Sequence, residues 1–124
     1  MTTPSISAKE FLLIEGEDDF VELRLVAEHV ADLLRTSDLE RIRDRTLAVI
    51  RQLLNEHLIV VGTLDPVSGE LLVWECSSDE AVERIDHEWR AIGRKPGLYE
   101  VACFRDTPSG QQVGADLKRQ FGLP

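Results

Sequence analysis

The stretch RQLLNEHLIVVGT, residues 51 to 63, constrains the fold more than any other part of the chain. Apolar side chains recur at three- and four-residue spacing from Leu39 onwards and predict an amphipathic helix that runs to about residue 56. Residues 58 to 63 are apolar and rich in β-branched side chains, which predicts a strand. His57 lies at the corner, where a helix that reverses into a strand within one residue commonly adopts a left-handed conformation. We therefore predict a positive φ at His57.

Two helices are predicted before the helix that contains this junction. Ser7 and Glu10 form the S-x-x-E pattern of a capping box, which predicts a short helix over residues 7 to 15. Asp18 or Asp19 is then predicted to cap a longer helix. The core face of that longer helix is predicted to consist of Phe20, Leu23, Val26, Ala27, Val30, Leu33 and Leu34.

A hairpin and an inserted helix are predicted after the junction. The segment LDPVSGE has turn-forming residues and should connect the strand at 58 to 63 with a second strand at about 70 to 76. Ser77 and Glu80 form another capping box, and the apolar spacing that follows predicts a helix to Ile92.

The last part of the chain predicts one more strand and one more helix. Tyr99 to Arg105 alternates between apolar and polar side chains, as a strand does. Thr107, followed by Pro108 at the first helical position, predicts a helix to about residue 120. The whole chain, residues 1 to 124, is therefore predicted to be one α+β domain. It should contain four to five helices and a small three-stranded antiparallel sheet, with the helix at 78 to 92 inserted between strands.

The composition favours a globular cytoplasmic protein. A hydrophobic fraction of 43% with regular periodicity is typical of a folded domain. The chain has no apolar run long enough to cross a membrane and no signal peptide pattern at its start, so no membrane partner is predicted. Cys76 and Cys103 lack a CxxC spacing and are predicted to be small buried side chains in a reducing compartment.

Two short motifs resemble those of winged helix-turn-helix domains. In that family the recognition helix commonly ends in a pattern like E-x-G-L-I, which Glu56-His57-Leu58-Ile59 matches with His in place of Gly. Asp106-Thr107-Pro108-Ser109-Gly110 is similar to the L-T-x-x-G helix start that follows the wing in that family. The resemblance implies a winged-helix-like scaffold, and the inserted helix makes this chain a variant. The longer stretches EGEDDFVEL, LIVVG, SSDEAVERIDHEWRAIGR and FRDTPSG resemble a group of small uncharacterised actinobacterial proteins, which implies no particular activity.

The winged-helix resemblance also implies a DNA-binding transcriptional regulator that uses the helix at 38 to 56. The arginines that would contact phosphates and base edges are Arg41, Arg43, Arg45 and Arg51. The alternative is a solvent-exposed face on which these arginines pair with Glu40, Asp44 and Glu56. The predicted wing, residues 58 to 76, contains three acidic residues and no Lys or Arg. A wing without Lys or Arg cannot neutralise DNA phosphates, so it contributes no affinity for DNA through release of counterions. We therefore keep DNA binding as the second hypothesis.

No residue cluster predicts a reaction or a bound metal. His29, His57 and His87 lie on three different predicted elements, whereas a metal site needs three or four converging ligands. The sequence contains no recognisable Ser-His-Asp or Cys-His arrangement and no Gly-rich phosphate loop. We therefore predict no catalytic, cofactor-binding or metal-binding residues and no enzymatic activity.

The leading hypothesis is a non-catalytic, acidic protein-interaction module. The net charge is −9, and complementary charge accelerates association with a basic partner, such as a basic toxin or a regulatory protein. Trp89, Arg90 and Arg94 are candidate contact residues, since Trp is enriched at the energetic centres of interfaces. The favoured alternative for Trp74 and Trp89 is core packing between the hairpin and the inserted helix. Homodimer formation is left open.

Overall fold

A computed structural model of the protein describes residues 5 to 124 and shows an α+β architecture. Its helices are α1 (Ala8–Glu15), α2 (Leu23–Leu34), α3 (Leu39–Asn55), α4 (Ser78–Ile92) and α5 (Pro108–Phe121). Its strands are β1 (Val21–Glu22), β2 (Ile59–Leu64), β3 (Leu71–Val73) and β4 (Cys103–Asp106). Every one of these helices is too short or too polar to cross a lipid bilayer.

The four strands form one antiparallel sheet in the order β1-β4-β2-β3. Phe104 of β4 pairs with Val21 of β1 on one side and with Val61 of β2 on the other. The predicted α+β class and the antiparallel sheet are confirmed, and α4 is inserted between β3 and β4 as predicted. The predicted count of three strands is wrong, because β1 adds a fourth.

Strand β1 replaces what we predicted to be the first turn of α2. The Asp19 carboxylate accepts a hydrogen bond from the Phe20 N–H at 2.7 Å, but neither Asp18 nor Asp19 caps the helix. The chain stays extended until Glu22, and Leu23 begins α2 while donating its N–H to the Ala102 carbonyl at 3.0 Å. Pairing with β4 therefore outweighs the local preference for an acidic cap at this position.

The other element predictions are confirmed with changed limits. Both capping boxes form, at Ser7 with Glu10 and at Ser77 with Glu80. The predicted strand at residues 99 to 105 is shortened to β4 because Tyr99 (φ 60°) and Val101 (φ 69°) have left-handed backbones.

One core joins the sheet to the helices, and the helices present their apolar stripes to it. The largest fully buried side chains include Trp89, Phe104, Leu12, Leu13, Leu23, Ile42, Ile50, Leu53 and Ile85. Leu33 was predicted to belong to this core, but it lies on the surface of α2 and is 43% exposed. The apolar stripe of α2 is therefore narrower than its sequence suggests.

His57 has a φ of 57°, which confirms the predicted left-handed corner between α3 and β2. Thr107 holds this corner from the other end of the chain. Its hydroxyl donates to the His57 carbonyl at 2.7 Å, and its N–H donates to the Leu58 carbonyl at 3.0 Å. The same hydroxyl accepts the N–H of Gly110 at 3.1 Å and so caps α5. The two short motifs noted in the sequence are thus in direct contact.

Gly110 and Gly114 allow α5 to lie unusually close to the rest of the fold. A Cβ atom at Gly110 would lie 1.9 Å from the Leu58 carbonyl oxygen, and one at Gly114 would lie 2.4 Å from the Leu13 carbonyl oxygen. Any side chain at either position would force α5 away from α1 and β2.

We expect His57→Gly to leave the fold unchanged and to be neutral or stabilising by up to about 1 kcal/mol. Glycine relieves the cost of a left-handed backbone, and its greater freedom in the unfolded chain offsets part of that gain. Thermal and urea melts would measure the change. Asn55→Gly is the matched control: Asn55 has helical geometry, so the same mutation should cost roughly 0.5 to 1 kcal/mol there. A melting temperature lowered by several degrees in His57→Gly would contradict the prediction.

Candidate protein-interaction surface

The structure separates the four arginines that would serve as a DNA-reading set. Arg43 is buried, and its Nε lies 3.5 Å from Asp86 of α4. Arg51 forms an ion pair with Asp79, also on α4. Arg41 and Arg45 are exposed and form no ion pair within residues 5 to 124. Within the described residues, Arg43 is therefore withdrawn from the surface, Arg51 is exposed but paired, and Arg41 and Arg45 are exposed and unpaired.

The predicted ion pairs within α3 are wrong, because the charges pair between elements instead. None of the proposed partners, Glu40, Asp44 and Glu56, forms an ion pair with an arginine of α3 in the described part of the chain. Glu56 instead pairs with Lys9 of α1 at 2.7 Å. Two arginines of α3, Arg43 and Arg51, pair with α4 instead.

Trp89 is fully buried, so it belongs to the core and cannot contact a partner directly. Its indole N–H donates to the Arg94 carbonyl at 3.1 Å, which ties the end of α4 to the following loop. Arg90 and Arg94 remain exposed but are paired, with Asp86 at 2.8 Å and with Glu100 at 2.6 Å. The hydrogen bond from Arg94 lowers the pKa of Glu100 below its usual value.

Trp74 joins the hairpin to α4 at the margin of the core, so the predicted core packing holds for Trp89 and only in part for Trp74. The Arg84 guanidinium of α4 lies 3.9 Å from the centre of the Trp74 ring, within the range of a cation–π contact. The Trp74 indole N–H donates to the Thr63 hydroxyl at 2.9 Å. Trp74 is half-buried, so one edge of the ring reaches the surface beside the hairpin.

Exposed apolar side chains are concentrated in one region. We call it the hairpin surface and define it as residues 64 to 75 together with Leu98 and Tyr99. It contains five of the seven large apolar side chains that are exposed in residues 5 to 124: Val67, Leu72, Val73, Leu98 and Tyr99. Val67, at the tip of the turn, is 94% exposed. Leu72 and Val73 are consecutive residues of β3 and therefore lie on opposite faces of the hairpin, so the hairpin exposes apolar side chains on both faces.

A groove lies beside Tyr99 at the edge of the hairpin surface. It has a volume of about 510 Å³, and its apolar lining comes from Phe20, Leu25, Leu64 and Tyr99. The acidic residues Glu15, Asp19 and Glu22 also line the groove, and Glu22 is paired with Arg24 at 3.5 Å. An adjoining cavity of about 460 Å³ continues past Tyr99 along Leu64, Asp65 and Pro66. A partner with apolar and basic side chains would match this lining.

The turn of the hairpin holds its own carboxylate in place. Asp65 accepts the N–H of Val67 at 3.0 Å and the hydroxyl of Ser68 at 2.9 Å. These hydrogen bonds lower the pKa of Asp65, the backbone contact most strongly. With Glu70 and Glu75 also present and no Lys or Arg between residues 58 and 76, the hairpin carries only negative charge at neutral pH.

The loop that carries Tyr99 is held in a strained conformation. Val101 is β-branched, and a left-handed backbone is rare for such a residue. Glu22 fixes the loop by accepting the Tyr99 N–H at 2.7 Å, and Glu100 accepts the Gly97 N–H at 2.6 Å. Backbone strain of this kind is often found at functional sites, and Tyr99 is 55% exposed on this loop.

Asp106 is a buried carboxyl at the end of β4. Its side chain is enclosed by Gly16, Gly110 and Gly114, and neither of its oxygens has a hydrogen-bond partner within the described residues. Burial raises its pKa to about 7, with a further contribution from Glu17 that Lys118 partly opposes. The residue is 3% exposed, so it has no access to a substrate.

The two cysteines differ in their surroundings. Cys103 is buried as predicted, and burial raises its pKa to about 11. The prediction that Cys76 is buried is wrong: it lies on the surface, where it lines a cavity of about 280 Å³ together with His57. No group of three or more His, Cys, Asp or Glu side chains in residues 5 to 124 is arranged to hold a metal ion.

The chain matches no protein-family model, no curated protein and no solved structure.

Proposed function

We propose that the protein is a non-catalytic interaction module that binds a basic partner protein through the hairpin surface and the groove beside Tyr99. The observation that carries this proposal is the coincidence of exposed apolar side chains with exclusively negative charge on the hairpin. Apolar contacts supply affinity at an interface, while complementary charge steers the encounter and selects the partner. A cationic partner fits both properties.

The scaffold of this module is winged-helix-like. This part of the proposal is supported by the contact between the His57 corner and Thr107, which brings together the two motifs that suggested the resemblance. It is also supported by the hairpin that directly follows α3, in the place of a wing. The inserted α4 occupies two of the α3 arginines, Arg43 and Arg51, in ion pairs. Arg41 and Arg45 of α3 stay exposed and unpaired within the described residues, and the surface that we propose for the partner is the hairpin.

Affinity capture from a lysate of the native host, with the protein as bait, tests the proposal. We expect a basic protein to be retained at physiological salt and released by high salt. The double variant Glu70→Lys/Glu75→Lys should lose the captured protein. The matched control is Asp32→Lys/Asp44→Lys, which reverses two exposed acids on α2 and α3 and should keep it. The captured protein is then purified and titrated against the same three baits. Capture that responds equally to both charge reversals would contradict binding at the hairpin.

A DNA-binding regulator is the second candidate function, favoured by the exposed and unpaired Arg41 and Arg45 on α3. The acidic hairpin opposes it, because the next segment of the chain would approach the phosphates with negative charge. We therefore expect binding to random duplex DNA at physiological salt to be no tighter than about 10⁻⁴ M. Fluorescence anisotropy with labelled duplexes measures this.

A nanomolar, salt-sensitive complex with a defined DNA site that is lost in Arg45→Ala would contradict that prediction. Arg43→Ala is a poor probe of DNA contact, because Arg43 is buried beside Asp86 and its loss would disturb the packing of α4 on α3.

A further inference from the structure

The outer edge of β3 is open. Within residues 5 to 124 its only hydrogen-bonded neighbour in the sheet is β2. The Trp74 N–H donates to the Val61 carbonyl at 3.0 Å, and the Glu70 carbonyl accepts the Asp65 N–H at 2.9 Å. Because antiparallel pairing alternates along a strand, residues 70, 72 and 74 direct their main-chain groups to β2. Leu71 and Val73 therefore direct theirs away from it.

The side chains beside this edge are apolar in the middle and acidic at both ends. Leu72 and Val73 are exposed at its centre. Glu70 precedes the strand and Glu75 follows it shortly after, and both are exposed. An unpaired strand edge with exposed apolar side chains is a template for a further strand, and this edge carries neither a Pro nor a Lys to block pairing.

We propose that the β3 edge binds an extended segment of the basic partner as a fifth strand of the sheet, and that this segment has a short apolar centre with Lys or Arg on both sides. This inference rests on the proposed function and specifies how the partner is held. Main-chain hydrogen bonds to Leu71 and Val73 supply the pairing. The cationic flanks of the segment lie next to Glu70 and Glu75. The charge of these flanks therefore determines which partner segments bind.

The same charges disfavour a second copy of this chain as the occupant. Antiparallel pairing of two β3 edges brings the flanking acids of one copy towards those of the other, because Glu70 and Glu75 lie at the two ends of the same short strand. Like charges facing each other across a strand pair are destabilising. Each copy also carries a net charge of −9, so we expect the free protein to sediment as a monomer.

Titration with the synthetic peptide Lys-Lys-Val-Ile-Val-Lys-Lys, blocked at both termini, tests the inference by hydrogen exchange. The Leu71 and Val73 amides should exchange rapidly in the free protein and be slowed at least about tenfold at saturation. The Leu72 amide faces β2 and is already paired with Thr63, so it serves as an internal reference that should change little. Peptides with Glu in place of Lys, or with N-methyl groups on the peptide amides that face β3, are controls that should not bind.

Two protein variants separate strand addition from attraction by charge. Val73→Pro removes an outward-facing N–H but no hydrogen bond to β2, and should weaken peptide binding at least about tenfold. Glu70→Lys/Glu75→Lys should weaken it at least as much. Absence of peptide binding, or binding without protection of Leu71 and Val73, would overturn the inference. Binding that is lost in the charge variant but retained in Val73→Pro would also overturn it, while leaving an acidic interaction surface in place.

Discussion

Replacing Asp106 with asparagine is expected to raise the free energy of unfolding more at pH 8 than at pH 4. The difference between the two effects should be on the order of 4 kcal/mol. The carboxyl of Asp106 is enclosed by three glycines and has no hydrogen-bond partner within the described residues, so its charged form is poorly solvated in the folded state. Asparagine has nearly the same shape but does not ionise.

The sign of this effect follows from the raised pKa. The folded protein holds the Asp106 proton up to a pH of about 7, whereas the unfolded chain releases it near the ordinary value of 3.8. Between these two pH values the folded state binds more protons, so the free energy of unfolding falls as the pH rises. The loss is complete above pH 7. Lys118, which pairs with Glu17 and Asp18, opposes part of this rise in the pKa of Asp106.

Urea unfolding of wild type and Asp106→Asn between pH 4 and pH 8 measures the difference. Asp116→Asn is the matched control, because Asp116 lies on the exposed side of α5 and should change the pH profile little. Equal pH dependence in wild type and Asp106→Asn would show that the carboxyl is better solvated than its 3% exposure implies.

Replacing Trp89 with alanine is expected to destabilise the protein by about 3 to 5 kcal/mol. Trp89 is the largest fully buried side chain, and it lies on the inner face of α4 with Val82 and Ile85. Its removal leaves a cavity in the core and deprives the Arg94 carbonyl of its indole donor.

Denaturant unfolding of Trp89→Ala and Trp89→Phe separates these two contributions. The phenylalanine variant refills most of the volume but cannot donate a hydrogen bond to the Arg94 carbonyl, so we expect its stability to lie between those of wild type and the alanine variant.

In a Trp74→Phe background the remaining tryptophan fluorescence reports Trp89 alone, and its emission should be blue-shifted in the folded state. A stability change within half a kcal/mol, with emission already red-shifted before unfolding, would place Trp89 at the surface.

The helices could be predicted because their determinants are local. The capping boxes at Ser7 and Ser77 and the left-handed stop at Gly93 each lie within a few residues of the helix end that they fix. The φ of His57 could be predicted for the same reason. Strand β1 could not, because it is two residues long and exists only through pairing with β4, some 80 positions away. Local apolar spacing favoured a helix there, and a distant contact decided otherwise.

Only part of the candidate surface could be predicted. The absence of Lys and Arg between residues 58 and 76 was visible in the sequence and correctly singled out the hairpin as acidic. The groove was not visible, because it depends on a left-handed backbone that brings Tyr99 towards Leu64. The buried state of Arg43 depends in the same way on Asp86 of the inserted helix. The four-residue spacing of Gly110 and Gly114 was an available signal for close packing around Asp106.

The order of strands has a consequence for how quickly the protein reaches its native state. Strand β4 is the last of the four strands along the chain, yet it lies between β1 and β2. Neither β1 nor the inner edge of β2 has a partner until β4 arrives, so the sheet closes only through contacts between distant parts of the chain. Such contacts slow the search for the native fold, and they leave an apolar strand edge open during synthesis. The hairpin of β2 and β3 can form early. Pairing of β4 with β1 and β2, together with the hydrogen bonds from Thr107 to His57 and Leu58, is therefore expected to be the late, rate-determining step of folding.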